Sequence, residues 1–350
     1  MNIIRIFGET ERFQGIYYEY DSDSAPLGEG GMGRIYQGYR VDELSGGFRT
    51  PVAIKVIHDN IARDPQLIER AMREASIQID HENLLRMYGF IQNVEYDQLR
   101  DINVTRYYMV MERLVGVNLD QIFNGVTYDR SGLMIPYAGV LYQLYTTNRI
   151  EAIVQIMRNV MSGIMALHEK GFIHRDIDPS NIMVTIDNKI KLIDFGVCKH
   201  IEALVTEKSL TQAGSFIGKV NYAAPELALG DVSHQNRTTD IYALGVLMYQ
   251  LAVGRLPFNG TNQDVLAAHV SRKMPVKDIQ NKDLRRIVEK ATQKKQEKRY
   301  ATAAELIVDL ERVSRTIPEQ PNDLIKNILL WASVMIFGVL IGLLLKLILG

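Results

Sequence analysis

Two polar blocks separated by a short apolar stretch constrain this chain more than any other feature of its sequence. The first block extends from His174 to Asn181, and the second is Asp194-Phe195-Gly196. Between them, apolar runs on both sides of Asp187-Asn188-Lys189 predict two short strands joined by a polar turn. Such a hairpin brings the carboxylate and amide groups of the first block close to the aspartate of the second. Because oxygen ligands of this kind orient hydroxyl protons and hold divalent cations, we predict a catalytic site here.

The composition of the chain limits which classes of function remain open. Its 350 residues, 47% of them hydrophobic, are sufficient for one large domain or two moderate ones. The 40 basic residues are balanced by 41 acidic ones, so net charge offers no argument for a nucleic-acid partner. Cys198 is the single cysteine, which excludes an intramolecular disulfide framework and a cysteine-based zinc site. The apolar run at residues 1–7 is too short for a secretory signal, so we expect the amino-terminal bulk in the cytoplasm.

A glycine-rich run begins at Leu27 and places Gly28, Gly30 and Gly33 in the spacing G-x-G-x-x-G, followed by Ile35. Glycines let the backbone approach phosphate groups and direct its N–H groups toward them. A dinucleotide-binding fold would need a helix opening at Gly33, whereas the residues that follow are strand-like. By itself the run is compatible with phosphate binding or with a flexible turn.

The strand-like run from Pro51 to Ile57 contains Ala53 and Lys55 in a V-A-I-K pattern. The glycine run, this strand and the two polar blocks follow one another along the chain in the order that is typical of protein kinases. The chain therefore resembles the protein kinase family. The resemblance covers about residues 15–316. It implies that ATP binds beneath the glycine run, next to Leu27, Ile35 and Ala53, and that Lys55 pairs with its α- and β-phosphates.

Residues 65–79 show helical spacing of apolar side chains and carry two glutamates that are candidate partners of Lys55. We predict that the partner is Glu74, because the resembling family places its helix glutamate shortly before a segment like the one that starts at His81. Glu69 is assigned instead to the solvated face of the helix.

The resemblance also assigns roles around the cleft. It implies that backbone groups from Glu112 to Leu114 face the adenine ring. It implies that Asp176 takes or orients the proton of a substrate hydroxyl. Asn181 and Asp194 are then the ligands that hold Mg²⁺ against the phosphates of ATP.

The carboxyl-terminal half carries further features that the family uses for structure. Ala224-Pro225-Glu226 resembles the end of an activation segment, and Arg299 is the expected ion-pair partner of Glu226. Asp240 lies in a run that resembles the buried helix bracing the catalytic loop.

The activation segment is a candidate for phosphorylation, because Arg175 offers a cation to a phosphate there. An equally open interpretation is that the hydroxyl residues of this segment are solvated loop residues. The hydroxyl residues of that segment are Thr206, Ser209, Thr211 and Ser215.

Two positions depart from the family pattern. The resembling catalytic loop has lysine two residues after the aspartate, where its ammonium stabilises the transferring phosphoryl group, but this chain has Asp178. The threonine expected before Ala-Pro-Glu, which contacts that lysine, is replaced by Lys219. We hypothesise that Lys219 supplies the missing ammonium and pairs with Asp178. The alternative is that the site is partly disabled.

The last part of the chain predicts a membrane helix. Residues 328–345 contain no charge, and residues 328–348 would span about 30 Å as a helix if Lys346 extends toward the interface. A buried core helix is the alternative. Basic residues concentrate before the run, so the positive-inside rule keeps the larger part of the chain in the cytoplasm. The pattern Gly338-x-x-x-Gly342 is compatible with a homodimer, or it is incidental.

We therefore predict an α+β, two-lobed protein-kinase-like fold followed by a single transmembrane helix. The predicted parts are an amino-terminal extension (1–14), a kinase domain (15–316) with lobes at about 15–112 and 115–316, a linker (317–323) and the membrane helix (324–349). Residues 124–148 are read as an insertion without an assigned role. The predicted function is transfer of phosphate from ATP to serine or threonine hydroxyls of proteins, including autophosphorylation. The open alternatives are a membrane-anchored pseudokinase scaffold that binds nucleotide and, with less support, a small-molecule phosphotransferase.

Overall fold

The computed structural model describes residues 1–30, 32–97, 101–194, 199–200 and 219–315. The amino-terminal part is built on one antiparallel sheet. Its strands are β1 (Ile3–Ile6), β2 (Ile16–Asp21), β3 (Gly28–Gly30), β4 (Gly33–Asp42), β5 (Phe48–Ile57), β6 (Met87–Asp97) and β7 (Ile102–Glu112). They pair in the order β1-β2-β4-β5-β7-β6, and β3 pairs with β4. Among the described residues, three helices accompany the sheet: α1 (Glu9–Phe13), α2 (Asp59–Ala62) and α3 (Pro65–Ser76).

The first residues, which were predicted to form an extension at 1–14, contribute a strand to this sheet. Strand β1 pairs antiparallel with β2, from Ile3 opposite Asp21 to Ile6 opposite Tyr18. Ile6 is completely buried in the apolar cluster on the outer side of the sheet. A four-residue strand gives no periodic signal of its own, and it is stabilised by a partner that lies beyond the turn at Gly15.

The carboxyl-terminal part is mainly helical and surrounds two long buried helices. Its helices are α4 (Leu119–Phe123), α5 (Pro136–Thr147), α6 (Arg149–Glu169), α7 (Pro225–Ala228), α8 (Arg237–Val253), α9 (Asn262–Ser271), α10 (Lys282–Ala291) and α11 (Ala303–Arg315). Short strands lie at the junction with the sheet: β8 (Gly116–Asn118), β9 (Phe172–Ile173), β10 (Ile182–Thr185), β11 (Ile190–Leu192) and β12 (Lys199–His200). Helix α8 is capped at both ends, by Asn236 with Thr239 and by Gly254 in a left-handed conformation. The predicted two-lobed fold is confirmed.

The region predicted to be an insertion, residues 124–148, forms a tight turn followed by helix α5. Proline at the first helical position favours the start of this helix. Ala138, Leu141 and Tyr145 recur at helical spacing and are buried against the lobe. The Tyr145 hydroxyl donates to the carbonyl of Leu251 at 3.0 Å. The insertion is therefore packed onto the helical lobe as part of its core.

The predicted linker and membrane helix, residues 317–349, lie outside the described residues. So do Phe195, Gly196, Cys198 and the four hydroxyl residues predicted for the activation segment. Within the part of the chain that is described, one helix, α6, is long and apolar enough to cross a membrane by length and composition. Most of its apolar window is buried inside the protein, at 56%, so we assign α6 to the core of the helical lobe.

Candidate active site

The glycine-rich run forms a hairpin over the cleft between the lobes. Strand β3 pairs with β4, with Gly30 opposite Gly33. A side chain at Gly33 would collide with the carbonyl oxygen of Val56 on the neighbouring strand, so close strand packing requires glycine there. Gly30 has no described atom within 4 Å of where its side chain would lie. The space beside the Gly30 Cα is thus open among the described residues, whereas glycine at position 33 is required by strand packing.

One face of the sheet carries the residues that were predicted to meet the nucleotide. In the pairing register, Ile35 is opposite Lys55, and Ala53 is opposite Met111. Residues directly opposite each other on paired strands point to the same face. Ala53 and Met111 are buried in the cluster shared with the helical lobe, so this face looks into the cleft.

Helix α3 contains both glutamates that were considered as partners of Lys55. Glu69 forms an ion pair with Arg73 at 2.9 Å, with its side chain 66% exposed, which agrees with the solvated-face interpretation. The side chain of Glu74 lies outside what the structure describes, and its pairing with Lys55 stays a prediction.

The segment predicted to face adenine begins at the end of β7. The Glu112 side chain accepts hydrogen bonds from Lys191 Nζ at 2.6 Å and from the backbone N–H of Arg86 at 2.7 Å. Lys191 is buried and also donates to the carbonyl of Leu84 at 3.0 Å. These contacts fix the Glu112 carboxylate, and the contact of backbone groups from Glu112 to Leu114 with adenine stays a prediction. Lys191 was not predicted as part of this region, because its only sequence signal is a charge within the apolar strand β11.

The predicted hairpin after the catalytic loop is present. Strands β10 and β11 pair antiparallel, with Ile182 opposite Leu192, and Asn188 turns the chain in a left-handed conformation (φ 62°). Asn181 Nδ2 donates to the carbonyl oxygen of Asp176 at 3.0 Å and to its carboxylate at 2.9 Å. The carbonyl of Asn181 accepts from the N–H of the residue that precedes Asp194 at 3.0 Å. The hairpin thus brings Asp176, Asn181 and Asp194 to one end of the strand pair.

The environment of Asp176 favours proton exchange. Burial raises the pKa of its carboxyl group, and the charge of Asp178 adds to this effect. The backbone N–H of Lys219, which donates to Asp176 Oδ1 at 2.9 Å, opposes it. A carboxylate with a raised pKa is a better proton acceptor than an exposed one.

The two positions that depart from the family pattern touch each other. Lys219 Nζ lies 2.6 Å from Asp178 Oδ1, which confirms the predicted contact. The same carboxylate oxygen accepts from the backbone N–H and the hydroxyl of Ser180, each at 2.7 Å, and Lys219 Nζ also donates to that hydroxyl. The Asp178 side chain is only 1% exposed, so a cation is needed beside it. The role of Ser180 as a third member of this cluster was not predicted.

Asp240 anchors the catalytic loop from below, as predicted. Its carboxylate accepts from the backbone N–H groups of His174 and Arg175, both at 2.8 Å, and lies 2.7 Å from His168 Nε2. Burial alone would raise the pKa of Asp240, but these partners outweigh burial and lower it. Arg175 has a left-handed backbone (φ 66°), which is unfavourable for a residue with a side chain. The ionised Asp240 therefore holds a strained loop in place.

The predicted ion pair at the end of the activation segment is also present. Arg299 Nη1 lies 2.8 Å from Glu226 Oε1, and Arg299 Nη2 lies 2.9 Å from Oε2. The arginine side chain is 0% exposed and the glutamate 6%, so the pair is buried and bidentate. It attaches the segment that carries Lys219 to the base of the lobe.

The sheet lobe, the helical lobe and the loop between them have the architecture of the protein kinases. A family model described as the protein kinase domain matches residues 22–315. This chain therefore belongs to the protein kinase family, and the resemblance seen in its motifs is confirmed.

Curated relatives support the same assignment. The serine/threonine-protein kinase PknB of Mycobacterium leprae is 30% identical over 85% of the chain and 43% of the relative. A probable serine/threonine-protein kinase PknB of Corynebacterium glutamicum is 32% identical over 85% of the chain and 42% of the relative. Serine/threonine-protein kinase Pkn1 of Myxococcus xanthus is 32% identical over 79% of the chain and 36% of the relative. The chain thus spans about two fifths of the length of these proteins.

Proposed function

We propose that this chain transfers the terminal phosphoryl group of ATP to serine or threonine hydroxyls of proteins, including its own. The observation that carries the proposal is the contact of Asn181 with Asp176 at the open end of the hairpin, with the Lys219 ammonium 2.6 Å from Asp178. Each group that the chemistry needs has a counterpart in the chain: a proton acceptor, oxygen ligands and a cation.

The residues fit ATP and Mg²⁺ in a consistent way. Gly28, Gly30 and the backbone between them are proposed to cover the phosphates, and Lys55 to pair with two of them. Since both Nδ2 hydrogen bonds of Asn181 go to Asp176, its amide oxygen is directed elsewhere and suits a metal, as does the Asp194 carboxylate. When bound, Mg²⁺ neutralises charge on the phosphates.

The chain's own groups then perform the transfer. Asp176 orients the attacking hydroxyl and accepts its proton, which its raised pKa favours. Lys219 places an ammonium on the substrate side of the loop, where the negative charge of the transferring group develops. Its contact with Asp178 and Ser180 holds that ammonium in one position.

Preference for serine and threonine rests on two observations. The loop from Ile177 to Asn181 lacks the Ala-Ala-Arg-like sequence of tyrosine kinases. The three relatives described above are named serine/threonine-protein kinases.

A pseudokinase scaffold that binds nucleotide without transferring phosphate is the second candidate. Asp178 favours it, since an acidic residue replaces the expected lysine. The position of Lys219 beside Asp178 argues for an active enzyme, because the missing charge is supplied from another segment.

We further propose that residues 324–349 anchor the kinase to a membrane with the catalytic lobes in the cytoplasm. Support comes from the uncharged run at 328–345 and from the basic residues Arg312, Arg315 and Lys326 before it. The Gly338-x-x-x-Gly342 pattern supports close approach of two such helices, and therefore a homodimer. The proposed partners are protein substrates and the membrane, and no nucleic acid is proposed.

Mass spectrometry of the full chain in detergent micelles, incubated with Mg²⁺ and ATP, tests the proposed function. We expect added phosphate on serine or threonine peptides, and none on an Asp176→Asn control. No added mass on the unchanged protein, together with measurable ATP binding, would support the scaffold instead.

Substitution Asp194→Asn tests the metal ligand. We expect it to reduce the gain in ATP affinity produced by Mg²⁺ at least about tenfold, because a carboxylate ligand is lost. Calorimetric titration with ATP, with and without Mg²⁺, measures this gain. Asp187→Asn is the matched control, since Asp187 lies on the turn of the same hairpin and is 56% exposed. An unchanged gain in Asp194→Asn would argue against the assignment.

A further inference from the structure

The insertion at residues 124–148 reaches across to the glycine-rich hairpin. Arg130 Nη1 donates to the carbonyl oxygen of Leu27 at 2.8 Å. Leu27 directly precedes β3, and its own N–H donates to the carbonyl of Ile35 on β4 at 2.7 Å. A methyl group at Gly28 would lie 3.4 Å from the same guanidinium nitrogen. A residue of the helical lobe thus contacts the sheet lobe at the edge of the nucleotide cleft.

The turn that presents Arg130 is held by its neighbour. Asp129 Oδ1 accepts from the N–H and hydroxyl of Ser131, at 2.9 and 2.7 Å, and from the N–H of Leu133 at 2.8 Å. The N–H of Asp129 donates to the carbonyl of Leu133 at 2.9 Å, and Gly132 has the left-handed conformation (φ 83°) that the turn needs. These bonds are all local to the turn, so they place Arg130 without help from the sheet lobe.

The base of the turn is anchored in the helical lobe. The N–H of Ile135 donates to the carbonyl of Thr127 at 2.9 Å, which closes the turn. Ile135, Ala138 and Leu141 are completely buried. Opening of the cleft between the lobes must therefore break the bond between Arg130 and Leu27 or detach buried apolar side chains. Of the two, the single hydrogen bond is the weaker.

We propose that Arg130 is a positioning residue for the nucleotide, which holds the glycine-rich hairpin toward the helical lobe and slows the release of bound ATP or ADP. The inference rests on the proposed function, because it takes the cleft to be the nucleotide site. The contact joins a charged donor to a neutral carbonyl at an exposed position, so its effect on release is moderate. The contact between Arg130 and Leu27 changes the rate at which nucleotide is released, and it leaves the groups around Asp176 unchanged.

The test compares Arg130→Ala with the unchanged full chain in detergent micelles. Stopped-flow release of a fluorescent ADP analogue should be about three- to tenfold faster in the variant, which is within the range of one ordinary hydrogen bond at an exposed position. In protein without nucleotide, deuterium uptake by the peptide covering residues 24–36 should also be faster, because the hairpin has lost a contact. Asp129→Ala should change both measurements in the same direction, since it releases the turn.

Arg158→Ala is the matched control, because Arg158 is an exposed arginine of the same lobe that pairs with Glu311 at 3.1 Å, away from the cleft. It should change neither measurement. Unchanged release and unchanged uptake in Arg130→Ala would overturn the inference. Faster release with unchanged uptake would also overturn it, because Arg130 would then contact the nucleotide itself. If the protein binds no nucleotide, the proposed function fails, while deuterium uptake still decides whether Arg130 restrains the hairpin.

Discussion

Replacing Lys219 with alanine should lower the turnover of autophosphorylation about 100- to 1000-fold, the usual cost of removing one preorganised donor from a transition state. Binding of ATP should change little, because Lys219 contacts Asp178, Ser180 and Asp176, which lie on the substrate side of the cleft. Single-turnover kinetics with labelled ATP measures the chemical step, and a separate calorimetric titration measures binding. Unchanged turnover in Lys219→Ala would contradict the role proposed for the Lys219 ammonium group.

Two double variants separate the possible actions of Lys219. In Lys219→Ala with Asp178→Asn, both charges are removed and no buried carboxylate is left without a cation. Turnover should stay low in this variant if the ammonium acts on the phosphoryl group, and should recover if it only neutralises Asp178. In Asp178→Lys with Lys219→Thr, the usual family arrangement is restored. We expect this variant to recover much of the lost turnover.

Replacing Arg299 with leucine should lower the free energy of unfolding by about 3 to 5 kcal/mol, because it leaves a buried carboxylate without its partner. Glu226 is 6% exposed and accepts both arms of the guanidinium, so water cannot take the place of the arginine. Urea unfolding followed by fluorescence measures the change. Arg255→Ala is the control, since Arg255 and Asp278 form an exposed pair at 2.7 Å, and its removal should cost about 1 kcal/mol or less.

The pH dependence of unfolding provides a second measurement of the same ion pair. Burial raises the pKa of Glu226, but the hydrogen bonds and charge of Arg299 outweigh burial and hold the pKa below its ordinary value. The pKa of Glu226 is thus lower in the folded protein than in the unfolded chain. The stabilisation that the ion pair provides is therefore complete above the ordinary carboxyl pKa of about 4.3, and it is lost as the pH falls through the pKa of the folded protein. The Arg299→Leu variant should lack this acid-dependent loss. The same acid-dependent loss in both proteins would contradict the assignment.

Local patterns made much of the site predictable. The hairpin from Ile182 to Leu192 was predictable because alternating apolar residues and a polar turn are features of contiguous sequence. The position of Asp240 below the catalytic loop followed from the family resemblance. The contact between Lys219 and Asp178 was predictable because both departures fall on positions that meet in that fold.

Contacts between distant segments could not be predicted in the same way. The strand Ile3–Ile6 depends on pairing with residues beyond a turn, and four residues carry too little periodicity to show it. The bond between Arg130 and Leu27 joins positions 103 residues apart, and an exposed arginine in a polar turn carries no sequence signal. The ion pair between Lys191 and Glu112 could not be predicted either, because Lys191 lies in an apolar strand and the two residues come into contact only in the folded protein.

The pairing of Asp178 with Lys219 also has an evolutionary consequence. A change of Lys219 alone leaves a carboxylate that is 1% exposed without its cation, and a change of Asp178 alone to lysine places two ammonium groups together. Both of these single changes are disfavoured, so a direct exchange between this arrangement and the usual one requires both residues to change. The two residues should be inherited as a unit, and homologous chains that carry one of them should carry the other.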